Sequence, residues 1–372
     1  MSLKAIYLLL SVLILGQCAS HSPSDDNYTF QWDMSVENHT GKVKNLYAID
    51  GKHRGMSAFG WHTDFYESIN QLVKNNIEGA AIIPFLYQQT ELTKVLRPKR
   101  LDIGQWSRND SIYMTTVNEM HSRNMHVFLK PHIWMRDGWR SNIQMDNENE
   151  WDTWFDSYRK HMIHYAMLAE LLDIDLYCIG TELRSSIKAQ PHKWDEFIAE
   201  IKSVYSGKLT YAMNWDDDFD DIKFWDQMDY IGVQAYFPLT KNRNPRLSEI
   251  KKGWEKHVRK LEKASIKHEK PILFTEIGYR SDEIATIEPW VWNSAVNDTT
   301  NIRSNHIQNL AYEALFQKVW NEDWFAGTYF WQWHINSSEE RSRSNMDFSP
   351  RYKSAENTLA KWYGREQISD MK

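Results

Sequence analysis

Residues 175–182 read Asp175-Leu176-Tyr177-Cys178-Ile179-Gly180-Thr181-Glu182, and residues 271–276 read Pro271-Ile272-Leu273-Phe274-Thr275-Glu276. Each is a short, nearly continuous apolar run that stops on a glutamate. Runs of this kind fit strands buried on both faces, as in parallel sheets. Six more of similar length occur at 55–60, 79–86, 126–132, 209–214, 229–236 and 327–333. Amphipathic stretches with helical spacing lie between them. In the clearest, Asn149 is the expected N-cap, with Glu150 and Asp152 in the first turn. Its apolar face is Trp151, Trp154, Phe155, Tyr158, Met162, Tyr165, Ala166 and Ala169. Others run near 64–73, 111–120, 194–204, 247–263 and 306–319. Eight strands alternating with helices predict an α/β fold, a single (β/α)8 TIM barrel. The competing doubly wound sheet would need a Gly-rich phosphate turn after a strand, and none is found. There is no internal repeat and no second domain.

The chain has 372 residues, a length that suits one elaborated barrel. Its net charge of -6 leaves no basic footprint for nucleic acid. The 18 tryptophans are unusual. Aromatic side chains fill cores, but they also supply the flat apolar platforms that pyranose rings need.

The N-terminus reads as a processing signal. Lys4 precedes an apolar run from Ala5 to Leu15 that is short for a membrane span. The run ends in Leu15-Gly16-Gln17-Cys18, which resembles a bacterial lipobox in which Cys18 would be lipidated. Gln17 stands where a small residue is usual, and a plain secretory signal is the alternative. The expected organisation is therefore a signal peptide at 1–18, a polar tether at 19–44 and the barrel domain at 45–372. Localisation at the bacterial cell envelope by a lipid anchor follows, or secretion if Cys18 stays unmodified. Only one other cysteine exists, Cys178, so no disulfide framework is available and a small buried hydrophobe is its default role.

In such barrels chemistry lies at the C-terminal ends of the strands. Those ends carry Trp61 and His62; Tyr87, Gln88 and Gln89; Lys130, His132 and Trp134; Thr181 and Glu182; Asn214 and Trp215; Gln234 and Tyr236; Thr275 and Glu276; and Trp331, Gln332, Trp333 and His334. This rim of neutral hydrogen-bonding groups and tryptophan suits a polyol better than a phosphate. Burying Glu182 and Glu276 there is costly unless something uses them. Glycoside hydrolysis uses two carboxyls, one as acid and one as nucleophile or base. The fourth and seventh strands face each other across a barrel mouth, so the pair can flank a sugar. The competing explanation is two structural ion pairs, with Arg184 and Arg280 as partners.

Longer strings sharpen this. Cys178-Ile179-Gly180-Thr181-Glu182-Leu183, Gly232-Val233-Gln234-Ala235-Tyr236-Phe237-Pro238-Leu239, Phe274-Thr275-Glu276-Ile277-Gly278-Tyr279-Arg280 and Tyr329-Phe330-Trp331-Gln332-Trp333 resemble glycoside hydrolase family 113 over residues 45 to 363. The resemblance implies a retaining endo-β-1,4-mannanase with Glu182 as acid/base and Glu276 as nucleophile. It also implies that Tyr236 holds the nucleophile ionised, and that Trp331 or Trp333 floors the sugar at the cleavage point. The wider clan places Asn directly before the acid/base, against the sugar 2-hydroxyl. Thr181 stands there in this chain and reaches less far.

Other candidates each have a bland reading. His132 is a substrate contact or a core histidine, and Lys130 a substrate contact or a buried ion-pair partner. Asn214 and Trp215 are candidates for a subsite wall. Trp139, Trp290 and Trp292 lie in long segments at the active face, where loops commonly serve substrates. His161 and His164 read as a surface pair, and no motif calls for a metal or cofactor. The expected partner is a poly- or oligosaccharide. Two other functions stay open: a hydrolase for another β-glycan, such as a glucan or amino-sugar polymer, and a non-catalytic glycan-binding barrel at the cell surface. An intact carboxylate pair with Tyr236 argues against the binder.

Overall fold

The computed structural model describes residues 40–60, 65–98, 108–292, 300–335 and 337–365. The expected signal peptide with Cys18, the tether up to residue 39, and the candidates Trp61 and His62 lie outside the described residues. No helix among the described residues is long and apolar enough to cross a membrane.

Eight parallel strands close into a barrel. In chain order they are β1 (His53–Phe59), β2 (Gly79–Ile82), β5 (His126–Leu129), β7 (Leu176–Thr181), β8 (Lys208–Asn214), β9 (Tyr230–Gln234), β10 (Ile272–Ile277) and β11 (Phe325–His334). All eight coincide with the apolar runs of the sequence. Two runs, 79–86 and 126–132, are interrupted. Pro84 and Pro131 cannot donate to a ladder, so β2 stops at Ile82 and β5 at Leu129. The chain resumes as β3 (Phe85–Gln88) and β6 (His132–Met135). Hydrogen bonds from Lys130 N to Ile82 O (2.9 Å) and from His132 N to Pro84 O (2.8 Å) carry the pairing across the gap. With β4 (Arg97–Pro98), these strands form a separate three-stranded sheet in the order β4-β3-β6.

The expected helices are present as α2 (Phe65–Lys74), α3 (Arg108–Ser122), α4 (Glu148–Leu171), α6 (Pro191–Val204), α7 (Leu247–His268) and α8 (Asn305–Lys318), with the short helices α1 (Tyr47–Asp50), α5 (Arg184–Ala189) and α9 (Glu339–Ser344) beside them. The cap of α4 differs from expectation. Asn147, not Asn149, has the extended backbone of an N-cap, and its side chain accepts from Glu150 N. Asn149 already lies in the first turn, which Glu148 and Glu150 complement with negative charge. The eight apolar residues expected on its inner face are all buried. A helix not anticipated, α10 (Ser354–Tyr363), brings Tyr363 against β1, where its hydroxyl donates to Gly55 O at 3.0 Å.

The core has two layers. One, between strands and helices, takes most of the aromatics. The other fills the barrel itself, with Ala81, Phe128, Leu176, Cys178, Ala212, Leu273 and Tyr329. Cys178 is a fully buried free thiol in that interior. The Tyr329 ring lies so close to β1 that a Cβ at Gly55 would stand 2.3 Å from it, so only glycine fits there.

Candidate active site

Glu182 follows β7 directly and has φ +55, the left-handed region that a non-glycine residue enters only when its surroundings enforce it. Here they do. Glu182 N donates to Ala212 O (2.8 Å), Ser141 Oγ donates to Glu182 O (2.8 Å), and Leu183 N donates to the Tyr211 hydroxyl (2.7 Å). The carboxyl is buried, and Arg140 Nη2 lies 2.7 Å from its Oε2. Burial pushes the Glu182 carboxyl above the ordinary range. Arg140 opposes that shift, and the nearby charge of Glu276 adds to it.

Glu276, on β10, has quite different company. Its Oε2 accepts from Lys130 Nζ at 2.8 Å and Gln234 Nε2 at 2.9 Å, and its Oε1 accepts from the Tyr236 hydroxyl at 2.5 Å. Three donors, one of them cationic, stabilise negative charge on this carboxylate. Lys130 Nζ completes its set with Gln234 Oε1 and Thr275 O, both at 3.0 Å. Its three protons are thus all bonded, and it is an ion-pair partner of Glu276 rather than a group free to bind a ligand. Burial and the charge of Glu276 push the Tyr236 hydroxyl well above its usual range, so it remains a donor.

The ion pairs weighed from the sequence do not form. Arg184 pairs with Asp216 (2.7 Å) and Asp217, and Arg280 with Asp282 (2.6 Å). Arg280 also donates to the backbone oxygens of Glu288 and Val291, tying down the segment that carries Trp290 and Trp292. Trp290 stacks on Trp215 with ring centres 5.1 Å apart. Trp292 meets Trp331 edge-on at 5.7 Å.

His132 Nε2 lies 3.9 Å from Glu276 Oε2 and has no hydrogen-bond partner within the protein. Burial, with Lys130 and Arg140 nearby, holds its pKa well below the ordinary value, so the imidazole is neutral. Its ring lies nearly parallel to Trp331, at 6.5 Å and 6°. Trp331 Nε1 is likewise buried without a partner. Two buried polar atoms on these neighbouring rings are thus left unpaired by the protein itself, which marks the spot as polar rather than simply packed.

The two tryptophans of β11 part company. Trp331 joins the interior aromatic cluster, whereas Trp333 is fully buried in the outer layer with Arg351 over its ring. Simple alternation would put both on one face. A register shift prevents it: Ser57 pairs with Trp331 but Ala58 with Trp333, and the extra residue reverses the parity. Trp333 is therefore placed away from the mouth, contrary to its candidacy. Thr181 is buried, with its hydroxyl 3.8 Å from Cys178 Sγ. Asn214 reaches the rim, where its Oδ1 accepts from Trp215 N at 2.8 Å, which leaves its amino group and one lone pair of Oδ1 for a ligand. Gln88 is taken up by packing, since its Oε1 accepts from Trp154 Nε1. Arg140 was not legible in sequence. It arrives from a short 3-10 turn (Arg140–Asn142) with no motif around it. Among the described residues no group of His, Cys, Asp and Glu could hold a metal ion.

The profile of Glycoside Hydrolase Family 113 matches residues 57–353. The chain belongs to glycoside hydrolase family 113. This family 113 chain superposes on the β-mannanase AaManA of Alicyclobacillus acidocaldarius, solved with ManMIm. The TM-score is 0.73 at 25% identity, covering 84% of this chain and 97% of that one. A second family 113 β-1,4-mannanase, solved as a complex, gives TM-score 0.72 at 23% identity, over 84% and 98%. A Ruminococcus gnavus β-glucuronidase shares the fold alone, with TM-score 0.54 at 11% identity, over 83% of this chain and 49% of that one. A search of curated protein sequences returned no match. The family 113 chain is thus a glycoside hydrolase on a (β/α)8 barrel.

Proposed function

We propose that this family 113 enzyme is a retaining endo-β-1,4-mannanase, with Glu276 as nucleophile and Glu182 as acid/base. The observation that carries the reading is the unlike surroundings of the two buried carboxyls. Environments that separate two carboxyls in this way assign the acid and the base. In the first step a Glu276 oxygen attacks the anomeric carbon while Glu182 gives its proton to the departing glycosidic oxygen. A covalent glycosyl-enzyme forms and the aglycone leaves. In the second step Glu182, now ionised, takes a proton from water, and that water displaces Glu276 with net retention. Tyr236, Gln234 and Lys130 position the nucleophile and stabilise its charge.

His132 and Trp331 frame the sugar undergoing cleavage. The likeness to solved β-mannanases supports mannose as that sugar. Mannose and glucose differ in one axial hydroxyl, so discrimination rests on polar groups such as Thr181, His132 and Asn214. A site built around a hydroxyl penalises its misplacement because its own donors are left unpaired. In this reading a lipidated Cys18 tethers the enzyme at a bacterial envelope.

The test is hydrolysis of mannan, glucomannan, β-glucan and chitosan by purified enzyme, with product sizing and NMR of the first-formed anomer. Internal cleavage of mannan to a β-anomer is expected. A higher kcat/KM on gluco- than on matched manno-oligosaccharides would refute the sugar assignment, and a first-formed α-anomer would refute the nucleophile.

A further inference from the structure

On the sheet set off by Pro84 and Pro131, aromatic side chains line up along one face, edge-on for Phe85 and His132 and tilted by 54° for Tyr87 and Trp134. In the parallel pairing of β3 with β6, Phe85 lies opposite His132 and Tyr87 opposite Trp134. The rings meet across the strands, at 5.8 Å for Phe85 and His132 and at 5.4 Å for Tyr87 and Trp134. The alternate residues, Leu86 and Ile133, turn the other way into the core. The face therefore begins at the catalytic centre, where His132 lies 3.9 Å from Glu276. Two residues on, or ~7 Å along the strand, it reaches Trp134, which is 48% exposed. That spacing corresponds to about one or two pyranose rings. Outward of it opens a cleft of about 510 Å³, lined by Tyr87, Gln89, Leu92, Val95, Arg97 and Trp134. The shelf is tied at its base to α4, where Gln88 Oε1 accepts from Trp154 Nε1 at 3.0 Å.

We infer that Tyr87 and Trp134 form a distal subsite that binds a pyranose of the same β-linked glycan chain whose bond is cut beside Glu182 and Glu276. The occupant follows from continuity, since the platform shares its strand and its face with His132. Flat aromatic faces match the C–H faces of a pyranose, and Gln89 and Arg97 at the rim can bond its hydroxyls. The inference rests on the proposed function, and its test separates the two.

The test measures kcat/KM of the full chain on β-1,4-mannohexaose and on β-1,4-mannobiose, which fills only the two positions flanking the cut, for the wild type, Trp134→Ala, Trp134→Phe and Tyr87→Leu. The ratio of the longer to the shorter substrate is expected to fall about tenfold in Trp134→Ala, as for truncation of a well-packed contact. It should fall less in Tyr87→Leu and largely recover in Trp134→Phe. An unchanged ratio in Trp134→Ala and Tyr87→Leu overturns the inference, including the case in which both substrates lose equally. The same oligosaccharides are titrated into Glu276→Gln, with and without Trp134→Ala, by calorimetry. If the wild type cleaves neither substrate, the hydrolytic reading fails, and the titration still decides the shelf. Mannohexaose binding weakened about tenfold by Trp134→Ala supports it, and binding that is absent or indifferent to Trp134 overturns it.

Discussion

Arg140 Nη2 sits 2.7 Å from Glu182 Oε2, where a cation holds down the pKa that burial of the same carboxyl raises. Removing the cation leaves burial unopposed. With Glu182 as the proposed acid, Arg140→Ala should therefore move the basic limb of the kcat/KM profile to higher pH, since that limb reports deprotonation of the acid in the free enzyme. Arg140→Lys should move it less. A limb that stays in place or moves to lower pH in Arg140→Ala would contradict the electrostatic role.

With the proposed roles of acid/base for Glu182 and nucleophile for Glu276, the two glutamates should fail differently. Glu276→Ala should lose activity on every substrate, because no covalent intermediate can form. Glu182→Ala should lose roughly 10²–10⁴-fold on mannan, but far less in the first step on an aryl glycoside whose leaving group needs no proton. Burst kinetics on dinitrophenyl glycosides would show this as rapid phenolate release followed by slow turnover. Equal losses on activated and unactivated substrates would remove Glu182 from its role.

At the opposite end of the barrel His53 is buried, with Nδ1 3.1 Å from the Tyr329 hydroxyl. Burial, with His126 and Lys208 nearby, lowers its pKa to about 3. An unfolded histidine takes up its proton near pH 6.5, so between those values the unfolded chain binds more protons. The stability contributed by neutral His53 is complete above about pH 6.5 and is lost progressively as pH falls from there toward 3. Melting temperatures at pH 7 and pH 5 should differ more for the wild type than for His53→Gln. An equal difference in both proteins would show that the acid sensitivity lies elsewhere.

Fractionation tests the anchor. Cys18→Ser should move the protein from the membrane fraction to the soluble one, because acyl chains supply the attachment. Unchanged membrane association would refute lipidation at Cys18.

The barrel was legible because its strands are buried on both faces and so read as unbroken apolar runs. All eight coincide with observed strands. Glu182 and Glu276 stand out in the sequence because a carboxylate closing such a run needs a reason, and the fold does bury both. What escaped was set by contacts remote in sequence. Arg140 reaches Glu182 through a turn without a motif, and Lys130 could be assigned to Glu276 only once the barrel had closed. The placement of Trp333 escaped for another reason, since an irregular register between β1 and β11 breaks the alternation that pattern reading assumes. Asn147 and Asn149 both fit the chemistry of a cap before an acidic first turn, and only backbone dihedrals separate them.

Pro84 and Pro131 end two barrel strands at matching heights, and what continues beyond them is a pleated sheet rather than a pair of loops. Barrel closure uses the segments before each proline, while the shelf uses those after it. The two are separable modules joined at fixed points. A longer or shorter connection between β3 and β4 would remodel the outer shelf without shifting the register of the barrel or the span between the two glutamates. Within this scaffold the reach of the cleft can diversify by indels while the chemistry stays still.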